Sequence, residues 1–188
     1  DAPTTVQNIQ ASPGLLQAGI LAWVVVLVCD LVGCWALYHY FKKVHRSLSL
    51  LSSGLRLLYS GWLAVAIVQL VYIFPLLSST DPDAGLVMQQ FQAFEQIWSA
   101  GLILFWLHLL TLSHLSLQSR NIPRIFGWLL ALAGFSYLLV HSVKWILPGG
   151  LFVEQMENLL SMPMAVGELA FAFWLLVRGR YMALPANS

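Results

Sequence analysis

Eight polar side chains inside or beside long apolar runs have the chemical types that could act: Asp30, Arg56, Glu95, His108, Tyr137, His141, Lys144 and Glu168. A histidine near a carboxylate titrates near neutral pH and can move protons, which would suit Asp30 with His108. Two carboxylates with a histidine, here Glu95, Glu168 and His141, are competent for general acid/base work or for binding a hard cation. His141 and Lys144 stand at i, i+3 on one helix face, with Tyr137 one turn below. Each of these groups also has a structural explanation. Asp30 and Arg56 could form a buried ion pair across two helices, and His108 could hydrogen-bond a neighbouring helix. Glu95 and Lys144 could reach headgroups from near the helix ends. Glu168 resists that last explanation, because it lies beside Gly167 inside its run, where close helix approach calls for a partner to the carboxylate.

The elements that must position these groups are membrane spans. Of 188 residues, 59% are hydrophobic and 9% charged, against roughly 25% charged in soluble domains. Mean hydropathy is +0.77. The fold class expected is an all-α integral membrane bundle forming a single domain. Its spans are expected at about 15–40, 55–77, 91–118, 122–147 and 163–177, each near the ~20 residues that cross a bilayer. Residues 41–53 read as a loop with Lys42, Lys43 and Arg46. Ser78 to Asp83 reads as a polar turn, Pro123 suits the first turn of the fourth span, and Pro148-Gly149-Gly150 ends it. Glu154 and Glu157 fall in a loop, and Pro163 opens the fifth span.

Charge placement orients the bundle. Lys42, Lys43, Arg46, Arg56, Arg120, Arg124, Arg178 and Arg180 all fall on one side of the alternating topology, Lys144 being the exception. That side is cytoplasmic by the positive-inside rule. Asp1, Asp81, Asp83, Glu154 and Glu157 fall on the other. The N-terminus of the chain is then outside and the C-terminus inside. At ~1.5 Å of rise per residue, Asp30 and His108 lie near the midplane with Arg56 at the cytoplasmic boundary, an inner polar layer. Glu95, Tyr137, His141, Lys144 and Glu168 form an outer layer and the expected binding pocket, which a lipid or small-molecule ligand would reach from outside.

Several patterns point away from catalysis and cofactors. His108 and His114 are six residues apart and face different sides of their helix, so no metal site is expected. Cys29 and Cys34 lie in one span on different faces. The eight Trp suit aromatic belts at the membrane interfaces. No phosphate-cradling glycine loop, nucleophile elbow or Cys-x-x-Cys occurs. A net charge of +1 lacks the dense basic face of a nucleic-acid partner. No catalytic residue and no cofactor is indicated. The preferred function class is a binding or accessory module. The alternative is an intramembrane enzyme or proton-coupled carrier built on buried Asp, His and Glu.

Leu104-Phe105-Trp106-Leu107-His108-Leu109-Leu110, the link Gln118-Ser119-Arg120-Asn121-Ile122-Pro123-Arg124-Ile125-Phe126-Gly127 and Ala133-Gly134-Phe135-Ser136-Tyr137-Leu138 carry a resemblance. So do Asp1-Ala2, Thr5, Asn8-Ile9, Asp30 with Ala36-Leu37-Tyr38, Leu55-Arg56-Leu57, Gly167-Glu168-Leu169, and Trp174-Leu175-Leu176-Val177 with Gly179. Together they resemble a bacterial membrane family known as domain of unknown function four-three-eight-six. The resemblance implies a helical bundle in a bacterial cytoplasmic membrane and brings no activity. Members of that family usually have a further hydrophobic helix ahead of the Asp-Ala stretch. The expectation is therefore either a sixth helix removed from this chain or a five-helix bundle covered on one side by a partner, a second copy included.

Overall fold

The computed structural model describes residues 2–79, 82–147 and 150–182, with side chains to 178. Asp1, Asp81, Pro148, Gly149, Gly179 and the side chain of Arg180, on which parts of the reading above rest, lie outside the described residues or side chains. The described chain is helical, with no strand. In order the helices are α1 (Ala2–Ala11), α2 (Pro13–Phe41), α3 (Arg46–Val71), α4 (Ile73–Leu77), α5 (Ala84–Gln118), α6 (Arg124–Ile146) and α7 (Leu151–Met182). Five stretches are long and apolar enough to cross a membrane: Pro13–Phe41, Arg46–Leu77, Ala84–Gln118, Arg124–Ile146 and Leu151–Arg178. The protein is a multi-pass membrane protein.

Local chemistry sets where each helix starts, and it lengthens three of them beyond expectation. The loop expected over 41–53 shrinks to Lys42–His45. His45 Nδ1 accepts the Leu48 amide at 3.2 Å, which satisfies one of the first-turn donors that α3 would otherwise leave open. Pro13 occupies the first position of α2, where its missing N–H costs nothing. Pro123 instead stands just before α6, with extended backbone at ψ 132°, and its carbonyl accepts the Phe126 amide.

Asp83 starts α5 seven residues earlier than the expected Phe91. Its Oδ1 accepts the amides of Gly85 at 2.8 Å and Leu86 at 3.3 Å, a cap that suits the donor-rich end of a helix. Asp83→Ala is expected to cost ~0.5–2 kcal/mol and to fray this first turn. Hydrogen–deuterium exchange should show faster labelling over 84–90 with the rest of α5 unchanged; unchanged labelling there would refute the cap.

The largest difference is in α7. Pro163 does not open the helix but lies inside it. The twelve residues before it, Leu151 to Met162, are mostly good helix formers, and Glu154 sits in the first turn where the helix dipole favours an acid. Proline in an interior position removes one i to i−4 bond, at a cost that surrounding packing has to offset. Glu154 and Glu157 are consequently helical, not loop, residues.

The contacts gather into two compact units: Asp1–Gly33 with Leu57–Gly101, and Cys34–Arg56 with Leu102–Ser188. The core of the first holds Leu63, Ala66, Leu70, Ile73 and Val87. Beside it Trp23 meets Phe94 and Trp98 edge-on at 5.1 and 5.2 Å, and the Trp98 indole N–H donates to the Tyr59 hydroxyl at 3.3 Å. Trp35, Trp62, Trp128 and Trp145 are exposed, as lipid-facing or interfacial tryptophans would be.

The second unit is assembled through glycines. A Cβ on Gly134 would stand 3.3 Å from Leu109 Cβ and from the Trp106 carbonyl. One on Gly167 would stand 2.8 Å from the Leu129 carbonyl and 3.0 Å from Ala133 Cβ. Small residues thus let α6 approach α5 on one side and α7 on the other, the device that replaces a hydrophobic driving force in lipid. Ser113 Oγ reinforces the first contact by donating to the Gly127 carbonyl at 2.7 Å.

Candidate functional site

Helix α3 brings a polar face into the second unit. Ser49, Ser52 and Ser53 are buried and recur at helical spacing, with Arg56 one turn beyond Ser52. Opposite them on α5 lies His108, which is fully buried. Its Nδ1 is 2.9 Å from the Ser52 carbonyl oxygen and 3.0 Å from Ser52 Oγ. Arg56 Nη1 is 3.2 Å from Nε2. Donor counting fixes the ring. A carbonyl only accepts, so Nδ1 carries the proton; a guanidinium only donates, so Nε2 offers its lone pair. His108 is therefore a neutral imidazole with both nitrogens engaged, linking α5 to α3. His108 hydrogen-bonds a neighbouring helix, as the sequence suggested; that Arg56 would be among its partners was not foreseen.

An aromatic ladder leads away from this knot. The Arg56 guanidinium lies over the Phe105 ring at 5.6 Å, and Phe105 meets Tyr137 edge-on at 5.6 Å. Tyr137 stacks on His141 at 6.0 Å with 16° between planes. His141 is buried, and one turn further along α6 the Lys144 ammonium contacts both carboxylate oxygens of Glu157 at 2.8 Å. The sequence reading placed the two histidines in separate layers; Phe105 and Tyr137 connect them.

Glu168 leaves the outer set. Eleven residues separate it from Glu157 on α7, ~16 Å of helix. Its neighbour Gly167 packs against Leu129 and Ala133, in the half of α6 that begins at Arg124. Gly134, just beyond, packs against Leu109, the residue after His108. Glu168 is thus at about the height of His108, far from Lys144 along the bundle. The displacement follows from the early start of α7: Glu157, not Glu168, arrives opposite Lys144. Glu168 is half-buried there.

The remaining expected residues belong to the first unit. Glu95 is exposed on α5. Asp30 is buried, and apart from Ile20 and Phe41 it is the buried residue of the 29-residue helix α2, the rest being partly or fully exposed. His114 is exposed, its Nε2 accepting from the Gln118 amide at 2.9 Å, so it takes no part in the His108 knot. Among the described residues no three His, Cys, Asp or Glu stand together as a metal ion would require.

Sequence reasoning missed Ser52, Phe105 and Glu157. The serines at 49, 52, 53 and 60 carry a signal that could have found the first: small polar residues at 3.6-residue spacing mark a buried polar face. That signal was hidden by reading the first three of them as loop. No signal marked Phe105 among so many aromatic residues, and Glu157 was legible only with the correct start of α7.

Comparison with known proteins adds no activity. An uncharacterized protein of the archaeon Archaeoglobus fulgidus is 25% identical over 158 residues, which is 84% of this chain and 82% of that one. An archaeal relative means that the resemblance does not by itself place the chain in a bacterium. No solved structure matches. The model of the family described as Domain of unknown function (DUF4386) matches residues 1–179, and the chain belongs to that family.

Proposed function

We propose that the protein is a non-catalytic membrane module, a small binding or accessory protein whose buried polar side chains tie helices together. The observation that carries this reading is the state of His108. A general base needs a free lone pair and a general acid a proton it can release towards substrate, and here each ring nitrogen is committed to a neighbour on α3. Lys144 is likewise tied to Glu157. The candidate ligand site in this reading is the Lys144–Glu157 pair with Tyr137 and the buried His141 next to it on α6, and Glu95 is a separate candidate on the first unit. A lipid headgroup, an ion or a partner helix, a second copy among them, would meet it.

The setting proposed is a bacterial cytoplasmic membrane with the ends of α2, α5 and α7 inside, supported by the placement of Lys and Arg. A cysteine placed at His45, with Cys29 and Cys34 replaced, should react with an impermeant maleimide only after the membrane is opened. Native mass spectrometry of the purified protein should show the bare chain and phospholipid adducts. A stoichiometric haem, metal or organic cofactor would overturn the non-catalytic reading in favour of the intramembrane enzyme.

A further inference from the structure

The last turns of α2 and the link between α5 and α6 enclose a half-open crevice of about 320 Å³, lined among others by Trp35, His39, Tyr40, Lys43, Ser119 and Asn121. Its volume is at the low end of the ~300–1,000 Å³ usual for small-molecule sites. The end of α2 and the residues just after it supply the aromatic and apolar groups and the Lys43 ammonium; the α5–α6 link supplies a hydroxyl and a carboxamide. The aromatic wall is fixed in place. His39 Nδ1–H donates to the Trp35 carbonyl at 2.9 Å, and the His39 ring lies 4.6 Å from the Trp35 indole. Trp35 itself is 66% exposed, an amphipathic ring of the kind that sits at headgroup level.

Charge selects the occupant. Lys42, Lys43, Arg46, Arg120 and Arg124 all fall in or next to the segments that line the crevice, and no Asp or Glu occurs from residue 31 to 80 or from 96 to 153. The cations here are therefore not neutralised by acids nearby in sequence. A basic recess with an aromatic wall, placed where the apolar helices end, complements a ligand that is anionic at one end and apolar at the other. Basic pockets between membrane helices recognise anionic headgroups in this way.

We propose that this crevice binds the headgroup of an anionic phospholipid. Lys43, Ser119 and Asn121 take the phosphodiester, and Trp35 packs against the glycerol and the start of the acyl chain. The site is separate from the α6 face and from the His108 knot, so it stands or falls independently of the non-catalytic reading.

The test is lipid retention by the full chain, read by native mass spectrometry after equilibration with mixed micelles of phosphatidylglycerol or of phosphatidylcholine. Phosphatidylglycerol should be retained preferentially. Lys43→Gln should lower that retention roughly fivefold, the effect of losing one basic residue at an anionic surface, and Asn121→Ala should lower it as well. Lys42→Gln, whose ammonium instead lies over the Tyr38 ring at 5.9 Å, should leave retention unchanged. Lys43 is exposed, so all variants should keep the wild-type melting temperature. Equal retention of the two lipids, or equal loss in Lys42→Gln and Lys43→Gln, would overturn the site. Displacement of the lipid by millimolar inorganic phosphate would overturn the lipid as its occupant.

Discussion

Replacing His108 with alanine is expected to lower the unfolding free energy by ~2–5 kcal/mol, from an emptied buried site and the loss of the hydrogen bonds that its ring makes to α3. Smaller variants separate the contributions. Ser52→Ala removes only the hydroxyl, since the acceptor for Nδ1–H is the backbone carbonyl, and should cost ~1 kcal/mol or less. Arg56→Met leaves Nε2 without its donor and should cost ~1–3 kcal/mol. His108→Asn can still donate to the Ser52 carbonyl and should fall between alanine and wild type. Reversible unfolding in bicelles measures the series, and the double variant Arg56→Met/His108→Ala should lose less than the sum of the singles. Strict additivity would mean that the two side chains do not act on one another.

Gly167→Val is the second large effect expected, at ~2–4 kcal/mol, because its side chain would be driven into the Leu129 carbonyl and Ala133. Gly167→Ala already meets backbone and should cost ~1–3 kcal/mol. The comparison with Gly127 is instructive. A Cβ there would be closer to its neighbour, 2.5 Å from Leu117 Cγ, yet Leu117 is a half-exposed side chain that can turn away. Gly127→Ala should therefore be milder than Gly167→Ala despite the shorter distance. Gly54→Ala and Gly61→Ala meet nothing within 4 Å and should stabilise by up to ~1 kcal/mol through helix propensity. The same bicelle assay ranks all five variants; a harmful Gly61→Ala or a harmless Gly167→Val would contradict the packing described.

The five membrane-length helices were legible in the amino-acid sequence because hydrocarbon admits only long apolar segments, and that constraint writes itself into composition. Their ends were not. Asp83 and His45 extend α5 and α3 by capping, an effect of one side chain on two or three amides that a hydropathy pattern does not record. Pro163 misled for a related reason: proline is commoner at a helix start than inside, and only the packing of α7 shows that this one is interior. The error carried into the site, since moving the start of α7 exchanges Glu168 for Glu157 opposite Lys144. Burial of His108 and Asp30 could be anticipated from the cost of polar groups in lipid. Which partner each meets depends on helix rotation, which near-uniform apolar faces such as that of α2 leave unspecified.

The fixed tautomer of His108 also bears on electrical tightness. A relay for protons requires every member to take a proton on one side and pass one on from the other. At this knot the Nδ1 side meets the Ser52 carbonyl and hydroxyl, but the Nε2 side ends on a guanidinium, which does not release its own proton. The histidine that looked most like a conductor in the interior of the chain is closed on its Arg56 side, so its α3–α5 seam can be polar without short-circuiting the membrane that surrounds it.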